Sequence, residues 1–159
     1  MNKHFTDVTG WPNDSFVLPN YDIAVVTGTY NRAHLLLRSL FHYQACKRPV
    51  SHWDAMNYKD VNMSICLVVM DDGSTDFTRE LCEKFANEQL PIYYFYMGDK
   101  QPGEWRDSAA FINQGMSFAL HGLQASFAFP THPEICVGED TIATIVDYCK
   151  ENQDCFGMA

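Results

Sequence analysis

The densest polar stretch in this 159-residue chain is Asp71-Asp72-Gly73-Ser74-Thr75-Asp76, where two adjacent acids stop an apolar run, Met63 to Met70. Carboxylates in that position can accept hydrogen bonds from the N–H and O–H groups of a base or a ribose, and they can also lie near a metal ion. A purely structural use competes with this, in which Asp71 orients the turn and Asp76 caps the next helix. Two further polar segments stand in the same relation to apolar runs. Thr27-Gly28-Thr29-Tyr30-Asn31-Arg32 follows Ile23 to Val26, and Pro130 to Glu134 follows Ala125 to Phe129. A dinucleotide fingerprint needs G-x-G-x-x-G between the first strand and its helix. Gly28 stands alone there and no P-loop occurs, so a mononucleotide has to be held without a glycine cradle.

The elements that position these segments follow from hydrophobic periodicity. Short apolar runs, the first rich in β-branched residues, read as buried strands at Ile23–Val26, Met63–Met70, Pro91–Tyr96 and Ala125–Phe129. Helices are expected at about 33–45, after Ser74 or Thr75 as N-cap and through Phe85, at about 104–121, and at 141–150. In the third helix Ala109, Ile112, Met116 and Leu120 form the expected inward stripe, and Gly122 ends it. Residues 46–62 read as an irregular surface insertion, longer than the usual α/β connection. Residues 1–20 read as an irregular leader broken by Gly10, Pro12 and Pro19. Strand and helix alternate, which predicts an α/β fold: a mainly parallel sheet with helices on both faces, over residues 21–159. In such sheets ligands bind outside the carboxyl ends of the strands, where all three polar segments lie.

Bulk properties narrow the classes of function. A hydrophobic fraction of 47% and a charged fraction of 19% belong to a globular chain. The net charge of -9 speaks against a nucleic-acid partner, whose phosphates need Lys and Arg. A small anionic ligand needs only a local positive spot, so nucleotides stay open. No run reaches the roughly 18 apolar residues of a membrane span. None of the 6 cysteines forms a C-x-x-C pair, and residues 1–20 have no apolar signal core. Cys66 and Cys149 read as buried free thiols, and the setting expected is reducing and cytoplasmic.

Three segments in order carry a family resemblance. Val26-Thr27-Gly28-Thr29-Tyr30-Asn31-Arg32 resembles the first-strand motif of family 2 glycosyltransferases, and Val69-Met70-Asp71-Asp72-Gly73-Ser74-Thr75-Asp76 is similar to their second-strand motif. Ala109-Ala110-Phe111-Ile112-Asn113-Gln114-Gly115 looks like their third-helix signature. The resemblance spans roughly residues 23–122 and implies a GT-A, Rossmann-like fold that binds a nucleotide-diphosphate sugar. It implies that Thr27, Gly28, Thr29, Tyr30 and Arg32 line the nucleotide site, with Tyr30 packed on the base. Asp72 would accept the N3–H of uracil or thymine, Asp71 would support the ribose or the loop, and Asn113 would sit near the donor. Arg106, at the start of the third helix, can reach a diphosphate, since Arg suits bidentate phosphate contacts. A surface cation in a helix first turn is the competing reading.

The chain departs from that pattern where the family carries Asp-x-Asp for Mn²⁺ or Mg²⁺. Here the stretch reads Phe129-Pro130-Thr131-His132-Pro133-Glu134. Glu134 and His132 are the substitute ligands to expect, against a plain turn. Glu139 and Asp140 read as helix-cap acids. The family continues into an acceptor-binding half that carries the general base, and Cys155 to Ala159 leave no room for one, so that half is expected to be absent. The expected activity is inverting transfer of a sugar from a UDP- or dTDP-linked donor to an acceptor hydroxyl. Its rivals are a sugar-nucleotide-binding module without turnover and a nucleotidyltransferase-like enzyme.

Overall fold

The structure is a computed structural model that describes residues 2–12, 20–51 and 61–152. Seven strands and four α-helices follow in the order β1 (Phe5–Asp7), β2 (Ile23–Thr29), α1 (Ala33–Ala45), β3 (Val50–Ser51), β4 (Val61–Asn62), β5 (Ile65–Asp71), α2 (Thr78–Phe85), β6 (Ile92–Tyr96), α3 (Ser108–Ser117), β7 (Phe127–Thr131) and α4 (Thr141–Glu151). A π-helical turn, Phe118–Gly122, extends α3. The main sheet runs β1-β6-β5-β2-β7 and every pairing in it is parallel. This is the α/β architecture that the strand–helix alternation predicts.

The period-2 alternation of the strands divides the core in two. Ile23, Val25, Leu67, Val69, Ile92 and Tyr94 pack with α1, α2 and α4 on one face. Ala24, Val26, Cys66, Val68, Met70, Tyr93 and Phe95 pack with α3 and the π turn on the other. Strands covered on both faces read as unbroken apolar runs rather than as alternation, which is why these were visible in the sequence. The chain steps from β2 through β5 to β6 in one direction. It then crosses the opposite face through α3 to reach β7, on the far side of β2. The strand order therefore reverses beside β2, and such a switch point opens a crevice at the carboxyl ends.

Several expectations need correction. The leader contains a strand: β1 pairs with β6 in register Phe5↔Ile92 to Asp7↔Tyr94. Three residues are too few for a period to show, and only the partner strand reveals them. Residues 13–19 of that leader, with Pro19, lie outside the described residues, as do 52–60 of the connection, whose described ends pair as the antiparallel β3 and β4. Helix α2 starts at Thr78, with Phe77 at its N-cap position and no side-chain cap, so neither Ser74 nor Thr75 caps it. Those two residues are bonded to Asn31 instead.

The inward face of α3 is also rotated from the expected stripe. Phe111 and Gly115 are buried, and Phe118 and Ala119 continue that face, whereas Ala109 is exposed and Ile112 and Met116 are only partly covered. The cause is Gly115. A Cβ there would lie 2.7 Å from Val26 Cγ1 and 2.9 Å from Met70, so the helix backbone rests directly on the sheet at that point. Helix α3 itself begins at Ser108, not 104, with the Asp107 carboxylate accepting from the Ala109 N–H at 2.9 Å as its N-cap. Asp140 sits at the N-cap position of α4 but makes no side-chain cap, and its carboxylate pairs with Lys47 at 2.9 Å. Cys66 and Cys149 are buried and free, as expected, while Cys155 lies outside the described residues. Among the described residues no helix is long and apolar enough to cross a membrane.

Candidate functional site

The turn after β5 is built before any ligand arrives. Asp71 is fully buried, and its carboxylate accepts the Ser74 N–H at 2.7 Å and the Tyr94 hydroxyl. Burial, and then that bond to Asp71, push the Tyr94 hydroxyl well above the usual phenol range, so it stays a donor. Both carboxylate oxygens are thereby spent inside the protein, and Asp71 holds the loop. Asp72, one residue on, is turned the opposite way by the strand pleat. Its N–H donates to the Thr29 carbonyl at 2.9 Å and ties the turn to β2. Gly73 completes the turn with φ +87°. A Cβ at that position would meet the Gly98 carbonyl at 2.6 Å and the Lys100 nitrogen at 2.9 Å, so glycine is required by both conformation and space.

Asn31 and Asp76 lock the neighbouring turn. Asn31 has φ +50°, a left-handed conformation that Asn tolerates, and its side-chain oxygen accepts the Thr75 N–H at 2.7 Å. Asp76 accepts the Ala33 N–H at 3.0 Å, the Thr78 N–H at 3.1 Å and the Thr78 hydroxyl. Partial burial alone would raise its pKa. The bonds from Thr78 and Ala33 outweigh that and hold it below the usual carboxylate value. Asp76 therefore satisfies the first turns of both α1 and α2, a structural role.

At the crevice beside β2 lies a cleft of about 220 Å³. Gly28, Thr29, Tyr30 and Arg32 form one side, Asp72 and His132 belong to the ends of β5 and β7, and Ser108, Phe111 and Ile112 close it from α3. A Cβ on Gly28 would lie 2.8 Å from the Phe111 ring, so Gly28 serves close helix packing rather than a phosphate cradle. Thr27 is buried, and the Oγ1 atoms of Thr27 and Thr29 have no hydrogen-bond partner. Tyr30 is 41% exposed. Arg32 lines the cleft, with its guanidinium 3.4 Å from Glu134. Asn113 is exposed on α3 and does not line the cleft.

A residue that the sequence reading passed over touches two of these cleft residues. Lys100, in the loop after β6, places its ammonium 4.6 Å from the centre of the Tyr30 ring and 2.5 Å from the Asp72 carboxylate. Its side chain is 17% exposed and that of Asp72 is 8% exposed, so the pair is largely shielded from water. Arg106 reaches the other Asp72 oxygen at 3.4 Å. Its remaining donors go to the carbonyls of Met97, Gly98 and Asp99 at 2.8–3.0 Å and to Glu104 at 2.7 Å. Arg106 thus staples the loop 97–104 to the site, an employment that its place before α3 did not suggest. Lys100 escaped notice because a loop has no periodicity. The available signal was topological, since a cation just beyond β6 must lie at the same sheet end as Asp72.

The divalent cation expected at Glu134 and His132 can be tested against the donors present. Mg²⁺ and Mn²⁺ want several oxygen ligands. Glu134 already faces Arg32, His132 adds one imidazole, and among the described residues no three His, Cys, Asp or Glu side chains converge. Asp72 is balanced by two cations. These side chains alone do not complete the coordination shell of such an ion.

No protein-family model and no curated protein sequence matches the chain. Solved structures do. The crystal structure of S. aureus TarS residues 1–349 superposes with a TM-score of 0.54 at 15% identity, covering 87% of this chain and 38% of that one. The same protein in complex with UDP gives the same values. The crystal structure of S. aureus TarS gives 0.54 at 14% identity, and covers 23% of that chain. The chain thus spans well under half the length of the structures it resembles. What the likeness establishes is the fold, an α/β Rossmann-like sheet of the GT-A type.

Proposed function

We propose that this chain forms the donor-binding part of a glycosyltransferase that takes a UDP- or dTDP-linked sugar and transfers it, with inversion, to an acceptor hydroxyl. The observation that carries the proposal is the pairing of Tyr30 and Asp72 on one cleft at the switch point of the sheet. An exposed aromatic face beside a carboxylate suits a flat base with an N–H on its edge. A carboxylate only accepts, so a pyrimidine dione with its N3–H suits it better than adenine. Support also comes from the fold, which resembles that of a protein crystallised with UDP. The cleft volume is below the roughly 300–1,000 Å³ of drug-sized ligand pockets. A cleft of this size takes the base, and the sugar diphosphate extends beyond it.

A second reading, donor binding without transfer, is favoured by the ionisable groups. Asp72 in the cleft and Glu134 beside Arg32 are each engaged by a cation, whereas a general base needs a lone pair free for the acceptor's proton. One assay separates these possibilities. The protein is incubated with a panel of nucleotide sugars, and the products are resolved. Nucleoside diphosphate with free sugar or glycoside supports transfer, and saturable binding without product supports the second reading. Pyrophosphate exchange or equal affinity for ADP and UDP overturns the proposal.

A further inference from the structure

The two groups assigned to the base are both engaged by one ammonium. Lys100 lies over one face of the Tyr30 ring and against the Asp72 carboxylate, so it competes with a base for both groups. A base N–H arriving at Asp72 must displace it. The loop that carries Lys100 need not leave, because Arg106 bonds three of its carbonyls and Gly73 packs against its backbone. The Lys side chain is a four-carbon stem bearing a point charge, and it reorients on a fixed backbone. Once displaced, a largely buried ammonium without a counter-ion is costly. A nucleoside offers it nothing in exchange. A nucleotide brings its own anion.

We propose that Lys100 is an exchanging counter-ion, paired with Asp72 before a nucleotide binds and with the phosphates of the nucleotide once it is bound. The proposal rests on the nucleotide reading above and adds to it a phosphate-binding residue and a rule for ligands. A pyrimidine nucleotide is taken and its nucleoside is refused, because only the nucleotide re-pairs the lysine. The same exchange meets part of the diphosphate's charge with a cation of the chain itself, at a site whose own side chains do not complete a metal's shell.

The test is a calorimetric series of uridine, UMP and UDP in EDTA, with wild type, Lys100→Met and Lys100→Arg. Wild type is expected to bind UDP at least tenfold more tightly than uridine, the size of one charge-assisted contact. In Lys100→Met uridine should tighten, because its competitor at Asp72 is gone, and UDP should weaken, so the gap closes. Lys100→Arg should keep the gap. Lys100→Gln carries the same expectation as Lys100→Met and serves if that variant does not fold. Uridine and UDP both tightening by one factor would make Lys100 a mere occluding group, and both weakening would make it a support for the base. Either outcome overturns the exchange while leaving nucleotide binding intact. If no variant and no wild type binds any of the three, the nucleotide reading has failed as well.

Discussion

The turns after β5 and after β7 lie at the same end of the sheet, yet they are built to different standards. The first is closed on itself: Asp71 is buried on Tyr94 and Ser74, and Asp76 is shared by two helices. The second presents His132 exposed, with Glu134 held by one ion pair whose side chains are 51% and 45% exposed. An acid whose lone pairs are all occupied by the protein shapes a site but does not bind in it. An acid in a loose, hydrated pair is free to change partner. Acidic residues at a strand end are therefore a poor guide to ligand contacts until their own partners are known, and Asp72, shielded and paired with the reorientable Lys100 and the stapled Arg106, is the one placed between the two cases.

The comparison breaks most sharply at Asp71. Asp71→Ala leaves the Tyr94 hydroxyl and the Ser74 N–H without acceptors in the core, which should destabilise the fold by about 3 kcal/mol or more. Chemical denaturation of the variant measures it. A loss below 1 kcal/mol would mean that the first turn is no better built than the second. Next in size is Asp72→Asn. The fold should survive, with a smaller stability loss than Asp71→Ala, although Lys100 and Arg106 lose their shared counter-ion. UDP affinity should fall by the value of a charged hydrogen bond, ~1.5–3 kcal/mol. Calorimetry that finds UDP binding untouched would move Asp72 into the structural class of Asp71.

Most of this contrast could not be read from the sequence. The sheet was legible because strands buried on both faces are unbroken apolar runs, and the motif at Asp71-Asp72 was legible because acids end such a run abruptly. Which of the two acids faces the cleft depends on the pleat and on Tyr94, 23 residues away, and no local pattern encodes that pairing. Lys100 and the stapling of its loop by Arg106 depend on contacts between segments that share no period. Strand β1 and the rotated face of α3 were missed for related reasons. A three-residue strand exists only through its partner, and a glycine that seats a helix looks, in sequence, like a gap in its apolar stripe.

A smaller effect with a definite pH signature belongs to Asp76. Its folded pKa lies below the unfolded value, so its contribution is fully present above the unfolded pKa near 3.8 and is lost as pH falls through the lower folded value. Asp76→Asn should cost about 1–2 kcal/mol at pH 7, a range set by the loss of charge-assisted bonds to Thr78 and Ala33. The gap between wild type and variant should narrow only in acid below about pH 4. Denaturation curves at pH 7, 5 and 3 measure this. A gap that stays constant to pH 3 would show that the charge on Asp76 adds nothing to its hydrogen bonds.

The smallest effect is expected at Glu134. It forms an exposed pair with Arg32, and such pairs contribute about 0–1 kcal/mol. Glu134→Ala should leave stability nearly unchanged. The informative measurement is UDP affinity of wild type and variant, each with EDTA and with Mn²⁺. If the second turn binds no divalent ion, Mn²⁺ and EDTA give the same affinity within about twofold in both proteins. Removing Glu134 then either does nothing or slightly strengthens UDP binding, because Arg32 at the cleft loses its competitor. The opposite pattern is just as clear. Enhancement by Mn²⁺ in wild type, absent from Glu134→Ala, would mean that the nucleotide's own phosphates complete a coordination shell that the protein's donors do not fill alone. His132→Ala should then reduce the enhancement less than Glu134→Ala, since an imidazole is a secondary ligand for a hard cation. In that case the loosely paired turn after β7 would be the more functional of the two, its exposure being what lets Glu134 exchange Arg32 for the ion.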